Sequence, residues 1–350
     1  MQTLSQRVSR PVYDDLGAPE PIEPIFAEGT DPTLEDWQDR RAVLKKRWNA
    51  VLGTPSPGSF DTRPEIIKTF DQPAYRATVF KQPTAPDTRQ TLLLMQPTQA
   101  AHAPRPGMVV PFYHPDQMAG IHLDTQEPIA EDRNVQFGRH LVQQGNVVVC
   151  TEAFPFNTVP EPADNRSFSW WQAAADKLLK DHPNWTGIAK LVWDASRAVD
   201  LLLDQPDIDR KRIGIMGHSL GGKIAFYTGA LDERIQAIVA SDFGMGFSFT
   251  NWDDPWYLGD QIHRPDFTLA HHHLLALHAP RSFFLFGGEA DRPATWQYIN
   301  EAKKVYALYG KEDAVGFFDH ASGHRPTGES LNIAYRWLAE QFGLAEQPWE

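Results

Sequence analysis

The chain has 350 residues, of which 41% are hydrophobic and 22% charged, a balance typical of a globular protein with one large α/β domain or two smaller ones. Its net charge of −12 argues against nucleic acid or an anionic membrane surface as a partner, because phosphates would be repelled. The single cysteine, Cys150, excludes an internal disulfide framework, no apolar run reaches the length of a membrane span, and the first residues are not typical of a signal peptide. Together these features predict a cytoplasmic protein without a membrane partner.

Residues 1–70 predict an N-terminal arm and one helix that packs on the core. Residues 1–32 are irregular, and Leu34–Leu52 repeats apolar side chains at three- and four-residue spacing. Two extended segments, Tyr75–Lys81 and Arg89–Gln96, then predict an antiparallel strand pair around a proline-rich turn. Residues 71–350 are expected to form the main domain.

From Gly107 onward, strands and helices alternate. The strand segments are short and apolar throughout, as in a mostly parallel sheet covered by helices on both faces. These segments are Met108–Tyr113, Val147–Thr151, Ile213–Met216, Ala237–Ser241, Ser282–Phe286 and Val315–Phe318. The helical segments are Arg133–Gln144, Ile188–Asp204, Lys223–Leu231, Trp296–Tyr309 and Glu329–Phe342. Two long insertions, at about residues 154–187 and 243–279, are expected to form cap-like structures.

The segment RIGIMGHSLGG, residues 212–222, predicts a strand, a sharp turn and a helix, with Ser219 at the apex of the turn. In such a nucleophile elbow the backbone is strained, so the residues two before and two after the serine must be small. Gly217 and Gly221 occupy those positions. Ser219 is therefore the candidate nucleophile.

A second pattern overlies the same residues. Gly217, Gly222 and Lys223 satisfy most of a phosphate-binding P-loop, which also follows a strand and opens a helix. The next position should hold a serine or threonine for Mg²⁺, but it is Ile224. We therefore expect no nucleotide site and no cofactor, and we expect Lys223 to be a solvated residue of the first helical turn.

A serine nucleophile needs a histidine base, and the histidine needs a carboxylate that holds its tautomer. Three carboxylates follow strands at suitable places. Asp291, a few residues after the strand Ser282–Phe286, is the first choice for the acid, and Glu289 and then Asp242 are the alternatives.

Two histidines follow the last predicted strand, and His324 is preferred to His320 as the base. Gly323 allows a tight loop in front of His324, and the last helix begins at the expected distance after it. His218 is expected to pack beside the nucleophile.

Stabilisation of an oxyanion requires two backbone N–H groups aimed at the developing charge. Leu220 would supply one from the N-terminus of its helix. The other should come from the loop after Met108–Tyr113, where Pro115 has no N–H and His114 or Asp116 is the candidate.

The two insertions are rich in aromatic side chains, and Trp170, Trp252 and Trp256 are candidates for a wall that contacts substrate. Three consecutive histidines, residues 271–273, invite comparison with a metal site. On a helix they point about 100° apart and do not converge on one ion, and no HExxH motif is present, so we predict no metal.

With these residues in place, the chain resembles the α/β-hydrolase superfamily over residues 76–342. The phrases DIDRKRIGIMGHSLGG, ALDERIQAIVASDFG and LLALHAPRSFFLFGGEAD are similar to its acetyl xylan esterase and dienelactone hydrolase-like branch. The resemblance implies an α/β-hydrolase fold and the roles of nucleophile, acid and base for Ser219, Asp291 and His324. The loop FYHPDQMAG departs from the histidine- and glycine-rich oxyanion loop of these relatives.

We therefore predict a serine hydrolase that cleaves a small carboxylic ester, such as an acetylated sugar, through an acyl-enzyme. Two alternatives stay open: a hydrolase of a C–C or amide bond on the same fold, and a non-catalytic binding protein. The sequence does not decide whether the chain forms a homo-oligomer.

Overall fold

The fold is organised around one nine-stranded sheet. The computed structural model describes residues 3–18, 20–54, 57–99, 104–160, 169–346 and 348–349. The strands are β1 (Glu65–Asp71), β2 (Tyr75–Ala85), β3 (Thr88–Pro97), β4 (Arg105–Pro111), β5 (Val147–Thr151), β6 (Ile208–His218), β7 (Ala237–Ser241), β8 (Ser282–Gly287) and β9 (Val315–Asp319). Their spatial order is β1-β2-β3-β5-β4-β6-β7-β8-β9.

The sheet has an antiparallel part and a parallel part. The pairs β1–β2, β2–β3 and β3–β5 are antiparallel, and every pair from β5 through β4 and β6 to β9 is parallel. The predicted strands are all present, and β5 and β7 have the predicted bounds. Strand β1 was not predicted, because its burial alternates weakly and Ile66 and Ile67 face solvent.

Helices cover both faces of the sheet. They are α1 (Leu4–Val8), α2 (Leu34–Leu52), α3 (Pro115–Ala119), α4 (Phe137–Gln143), α5 (Ser169–Asp181), α6 (Gly187–Leu203), α7 (Leu220–Leu231), α8 (Pro255–Leu258), α9 (His271–His278), α10 (Thr295–Leu308) and α11 (Gly328–Phe342). The first insertion contains α5, and the second contains α8 and α9. Residues 161–168 of the first insertion lie outside the described part of the chain.

Two hydrophobic cores lie on opposite faces of the sheet. Because side chains alternate along a strand, Leu92 and Leu94 of β3 enter the larger core and Leu93 and Met95 enter the smaller one. Helices α2, α6, α7 and α9 contribute to the larger core, and α4 and α11 contribute to the smaller one. The predicted architecture, a mostly parallel sheet with helices on both faces, is confirmed.

Helix α2 packs on the larger core. Its Trp37, Leu44 and Trp48 are fully buried, and Thr33 and Asp36 form a capping box at its N-terminus. The division of the chain at residue 70 stays a prediction. In the described ranges, no helix has both the length and the apolar character needed to span a bilayer.

The parallel strands β4, β6, β7, β8 and β9 bring their carboxyl ends to one edge of the sheet. In open α/β sheets this edge is where ligands bind. The loops after these five strands carry every polar residue singled out as a catalytic candidate in the sequence.

Candidate active site

Ser219 stands between β6 and α7 in a strained backbone conformation, with φ 55° and ψ −116°. The turn tolerates no side chain on its neighbours. A Cβ on Gly217 would lie 2.1 Å from the carbonyl oxygen of Gly221, and a Cβ on Gly221 would lie 2.1 Å from the carbonyl oxygen of Pro111. This is the elbow geometry that the spacing of the glycines predicts, and it leaves Ser219 partly exposed at the sheet edge.

The helix that follows the serine presents free N–H groups. Leu220 is the first residue of α7, so no carbonyl of its own helix can accept its N–H. His114 precedes α3 at the end of β4, the strand next to β6, and its ring packs on Phe156 at 4.0 Å between centroids. The roles of Leu220 and His114 in an oxyanion hole stay predictions.

His324 is held by a carboxylate. Its Nδ1 donates a 2.5 Å hydrogen bond to Oδ2 of Asp242, whose side chain is buried, and its ring lies 4.6 Å from that of His218, the residue before the nucleophile. Nε2 is the remaining ring nitrogen and can serve as a base. Ser219 Oγ makes no hydrogen bond within the described residues. Catalytic hydrogen bonds of this kind often tighten only when substrate is bound.

The surroundings of Asp242 favour its ionised form. Burial works to raise its pKa, but the hydrogen bond from His324 and those from the N–H groups of Asp291, Gly288 and Glu289 outweigh burial and leave the pKa below its usual value. A charged Asp242 fixes the tautomer of His324 with the proton on Nδ1.

The structure corrects the first choice for the acid. Asp291 forms no hydrogen bond or ion pair with His324, which pairs with Asp242. Its buried carboxylate accepts hydrogen bonds from the N–H groups of Gly244 and Met245 and from Thr295 Oγ1. Burial, and then the charge of Asp242, raise the pKa of Asp291 to about 6. The alternative Glu289 is exposed, so Asp242, the third choice, is the carboxylate that meets the histidine.

The other two histidines near the elbow have separate partners. His320 Nδ1 bonds to Ser322 Oγ at 2.8 Å. His218 is buried, with Nδ1 3.0 Å from Ser241 Oγ, and burial followed by the proximity of His324 lowers its pKa to about 3. His218 is therefore neutral and packs beside the nucleophile, as predicted from its position.

Lys223 is buried, and the expectation that it would be a solvated residue is wrong. Its Nζ donates to Asn251 Oδ1 at 2.7 Å and lies 4.2 Å from the ring centroids of Trp252 and Tyr257. Burial lowers the pKa of this amine to about 7, although Asp254 and Asp291 act in the opposite direction. An enclosed amine of this kind does not extend toward a nucleotide phosphate.

The segment after Asp242 is clamped by side chains of the second insertion. The indole N–H of Trp252 donates to the Gly244 carbonyl at 2.7 Å, and His271 Nδ1 donates to the Met245 carbonyl at 2.7 Å. Tyr227 OH bonds to the other nitrogen of His271 at 2.8 Å. Both ring nitrogens of His271, the first of the three consecutive histidines, are therefore used in structural hydrogen bonds.

The other two histidines of the run bond to main chain, His272 to the carbonyl of Glu23 and His273 to the N–H of Ala270. In the described part of the chain, no three His, Cys, Asp or Glu side chains lie together in a way that could hold a metal ion.

The three candidate tryptophans differ in their surroundings. Trp252 is fully buried and offers no free face to a substrate. Trp170 is nearly buried, and its ring meets that of Phe156 at 4.4 Å between centroids. Trp256 is partly exposed, 6.1 Å from the ring of Trp171, and remains a candidate for contact with substrate.

One sequence signal could have favoured Asp242. It directly follows β7, the strand next to the nucleophile strand, and the Gly244 that comes two residues later permits the tight turn on which the acid depends. Asp242 itself has a φ of 44°, in the left-handed region that aspartate tolerates better than most residues.

Comparison with known proteins finds matches to esterases and to a putative hydrolase. A family model described as glucuronyl esterase of fungi matches residues 177–252, less than a quarter of the chain, which include the elbow and Trp252. The putative hydrolase YtaP of Bacillus subtilis (strain 168) is 29% identical over 218 residues, which cover 58% of this chain and 68% of that protein.

Solved structures show the same fold at low identity. A glucuronoyl esterase from Solibacter usitatus superposes with a TM-score of 0.70 and 19% identity, covering 93% of this chain and 99% of that one. A putative acetyl xylan esterase from Bacteroides fragilis NCTC 9343 gives a TM-score of 0.64 and 18% identity, with coverage of 88% and 84%.

The fold and the matches together define an α/β-hydrolase of the serine carboxylester hydrolase class. The predicted fold, the predicted enzyme class and the likeness to acetyl xylan esterases are confirmed at this level. The likeness to dienelactone hydrolases stays a prediction.

Proposed function

We propose that Ser219, His324 and Asp242 form the catalytic triad of this esterase. Ser219 Oγ attacks the ester carbonyl while His324 Nε2 takes the hydroxyl proton, and the Asp242 carboxylate stabilises the resulting imidazolium. The Leu220 N–H stabilises the oxyanion. His324 then protonates the departing alcohol, leaving Ser219 acylated. Water, deprotonated by the same histidine, attacks the acyl-enzyme, and His324 returns the proton to Ser219 Oγ as the acid leaves.

The observation that carries this proposal is the 2.5 Å bond from His324 to Asp242 beside a strained serine. An aspartate that is buried, ionised and bonded to a histidine ring orients a base, and a serine in a left-handed turn exposes its hydroxyl to a ligand. A fold of this class used only for binding has no need of either arrangement.

We propose an ester of a uronic acid as the substrate. The supporting observation is that the glucuronyl esterase model matches the segment that contains Ser219, Lys223 and Trp252. Lys223 lies one helical turn after the nucleophile, with its Nζ near the exposed Asn251. The buried Lys223 amine holds Asn251, and the exposed amide of Asn251 suits the hydroxyl groups of a sugar better than an aliphatic acyl chain.

An acetylated sugar is the second candidate, favoured by the similarity to the putative acetyl xylan esterase. The two candidates place the sugar on opposite sides of the scissile bond: on the acyl side in a uronate ester, and on the alcohol side in a sugar acetate. A panel of methyl glucuronate, acetylated xylose, 4-nitrophenyl acetate and an acetanilide decides between them. A uronate esterase has its highest kcat/KM on methyl glucuronate, and preferential cleavage of the anilide would contradict both candidates.

The experiment that tests the triad is labelling with a fluorophosphonate probe followed by peptide mapping. Attachment to the peptide that carries Ser219, lost in Ser219→Ala, supports the assignment. Attachment to another serine, or none to the folded protein, contradicts it. A small-molecule ester as the substrate and a cytoplasmic location stay predictions, as does the absence of nucleic-acid and membrane partners.

A further inference from the structure

Asp242 and Asp291 exchange hydrogen bonds between their loops. Asp242 accepts the N–H groups of residues 288 to 291 in the loop after β8, including that of Asp291 at 3.0 Å. Asp291 in turn accepts the N–H of Gly244 at 2.8 Å and that of Met245 at 2.7 Å, in the loop after β7. Each aspartate therefore fixes the main chain that follows the other.

The close approach of the two loops depends on Gly287. A Cβ at this position would lie 2.5 Å from Cβ of Asp291 and 2.9 Å from Oδ1 of Asp242. The last residue of β8 is thus packed against both aspartates at once, and any side chain there would move one of them.

Asp291 is also anchored away from the site. Thr295 Oγ1, in the first turn of α10, donates to the same oxygen that accepts from Met245. The carboxylate is fully buried and forms no hydrogen bond with His324, so it takes no direct part in the proposed proton transfer.

We propose that Asp291 is a positioning residue, which holds the loop after Asp242 so that the Asp242 carboxylate stays under His324. This role rests on the proposed triad. In this arrangement Asp291 affects the reaction only through the orientation of Asp242, by way of Gly244 and Met245.

A double-mutant cycle on Asp242 and Asp291 tests the role. Asp291→Asn keeps the shape but turns an amide N–H₂ toward a main-chain N–H. We expect kcat per labelled active site to fall by about 10- to 100-fold, the scale expected for a displaced catalytic group, with KM within about twofold. In an Asp242→Asn background the same change should lower kcat by less than about threefold, because the group it positions is already lost.

Two further variants separate positioning from general stability. Thr295→Val removes one donor to Asp291 and should give a smaller loss in kcat, which Thr295→Ser restores. Asp200→Asn, which removes an aspartate paired with Arg197 and Arg234 on a distant part of α6, is the matched control and should leave kcat unchanged.

Fully additive losses in the cycle would overturn the proposal, as would a lowered melting temperature with an unchanged kcat per labelled site. A readout without turnover keeps this test distinct from that of the triad. The Nδ1 proton of His324, observed by NMR in histidine-labelled protein, should shift in Asp291→Asn and disappear in Asp242→Asn. If the wild type did not react with esters or fluorophosphonate, the proposed function would fail. The Nδ1 proton of His324 would still show whether Asp291 orients Asp242 and His324. If that proton did not shift in Asp291→Asn, the positioning role would be overturned.

Discussion

Asp242 and His324 meet across an intervening strand. Asp242 follows β7 and His324 follows β9, so the 2.5 Å hydrogen bond between them passes over the end of β8. The loop that leaves β8 fills the space beneath this bond and donates its N–H groups to Asp242. Asp242, the proposed acid, thereby lies one strand from the proposed nucleophile and two from the proposed base.

Replacing the nucleophile should abolish turnover without unfolding the chain. Ser219→Ala removes the attacking oxygen, and kcat should fall by on the order of 10³-fold or more. Ester hydrolysis measured on a protein with an unchanged circular dichroism spectrum checks this. A variant that retained wild-type kcat would exclude Ser219.

Asp242→Asn should be more damaging to catalysis than Asp291→Asn. An asparagine leaves the imidazolium without a counter-charge and can present an N–H₂ to Nδ1, which favours the wrong tautomer, so kcat should fall by on the order of 10²- to 10⁴-fold. Steady-state kinetics of the two variants side by side provide the measurement. A larger loss in Asp291→Asn would return Asp291 to the role of the acid.

Gly217→Ala should destabilise the elbow, because its Cβ would lie 2.1 Å from a main-chain oxygen that cannot move aside alone. We expect a loss of on the order of 2–4 kcal/mol in the free energy of unfolding, together with loss of activity. Gly328→Ala is the control: its Cβ would meet only the edge of the Trp349 ring at 3.0 Å, and denaturant unfolding should show less than about 1 kcal/mol of change.

The pH dependence of stability should carry the signature of Asp291. Its pKa rises on folding from its ordinary 3.8 to about 6, so the native state binds the proton more tightly than the unfolded state. The stabilisation from this group is fully present below pH 3.8 and is lost as pH rises through 6. Asp242, also buried in the site, has a lowered pKa, so its contribution to stability changes with pH in the opposite direction. The nearby Lys223 has a pKa of about 7.

The variant Asp291→Asn isolates that contribution. Urea unfolding of the wild type and of Asp291→Asn between pH 4 and pH 8 should show the difference in stability shrinking as the pH rises through 6. A difference that is constant over this range would show that Asp291 does not titrate there.

Lys223→Met should raise stability at neutral pH. The amine has a folded pKa of about 7 against an ordinary value of 10.5, so its charge is disfavoured in the native state below pH 7, and the penalty fades as pH rises toward 10.5. The melting temperature of Lys223→Met should exceed that of the wild type most at or below pH 7 and approach it by pH 10. Its KM for a uronate ester should rise, while that for 4-nitrophenyl acetate should stay within about twofold. A lower melting temperature at pH 6 would contradict this account.

The sequence predicted most of the parallel sheet because the buried strands are apolar along their whole length. Val147–Thr151 and Ala237–Ser241 are observed with the predicted bounds. Strand β1 lacked such a pattern, and α9, with its three leading histidines, has no exposed face: all eight of its residues are buried. Periodicity does not reveal a helix that is enclosed on every side.

The serine and the histidine of the candidate site could be placed because each has a local signature, a small-residue turn for Ser219 and a glycine-preceded loop for His324. The proposed acid could not be placed, because Asp242 and Asp291 both follow strands at the same edge. The two aspartates are distinguished by hydrogen bonds between loops some 46 residues apart in sequence, and no local sequence pattern predicts such contacts. The burial of Lys223 has the same origin, since Asn251 and Trp252 reach it from the second insertion.

Six of the eight hydrogen bonds that hold the two aspartates come from main-chain N–H groups, and the other two come from His324 and Thr295. The position of Asp242, the proposed acid, therefore depends on the path of the backbone rather than on which side chains its neighbours carry. Residues such as Glu289 can change freely as long as the loop keeps its course. Through such exchanges, a scaffold of this kind could adapt the rim of its cleft to a different ester without disturbing the chemistry beneath it.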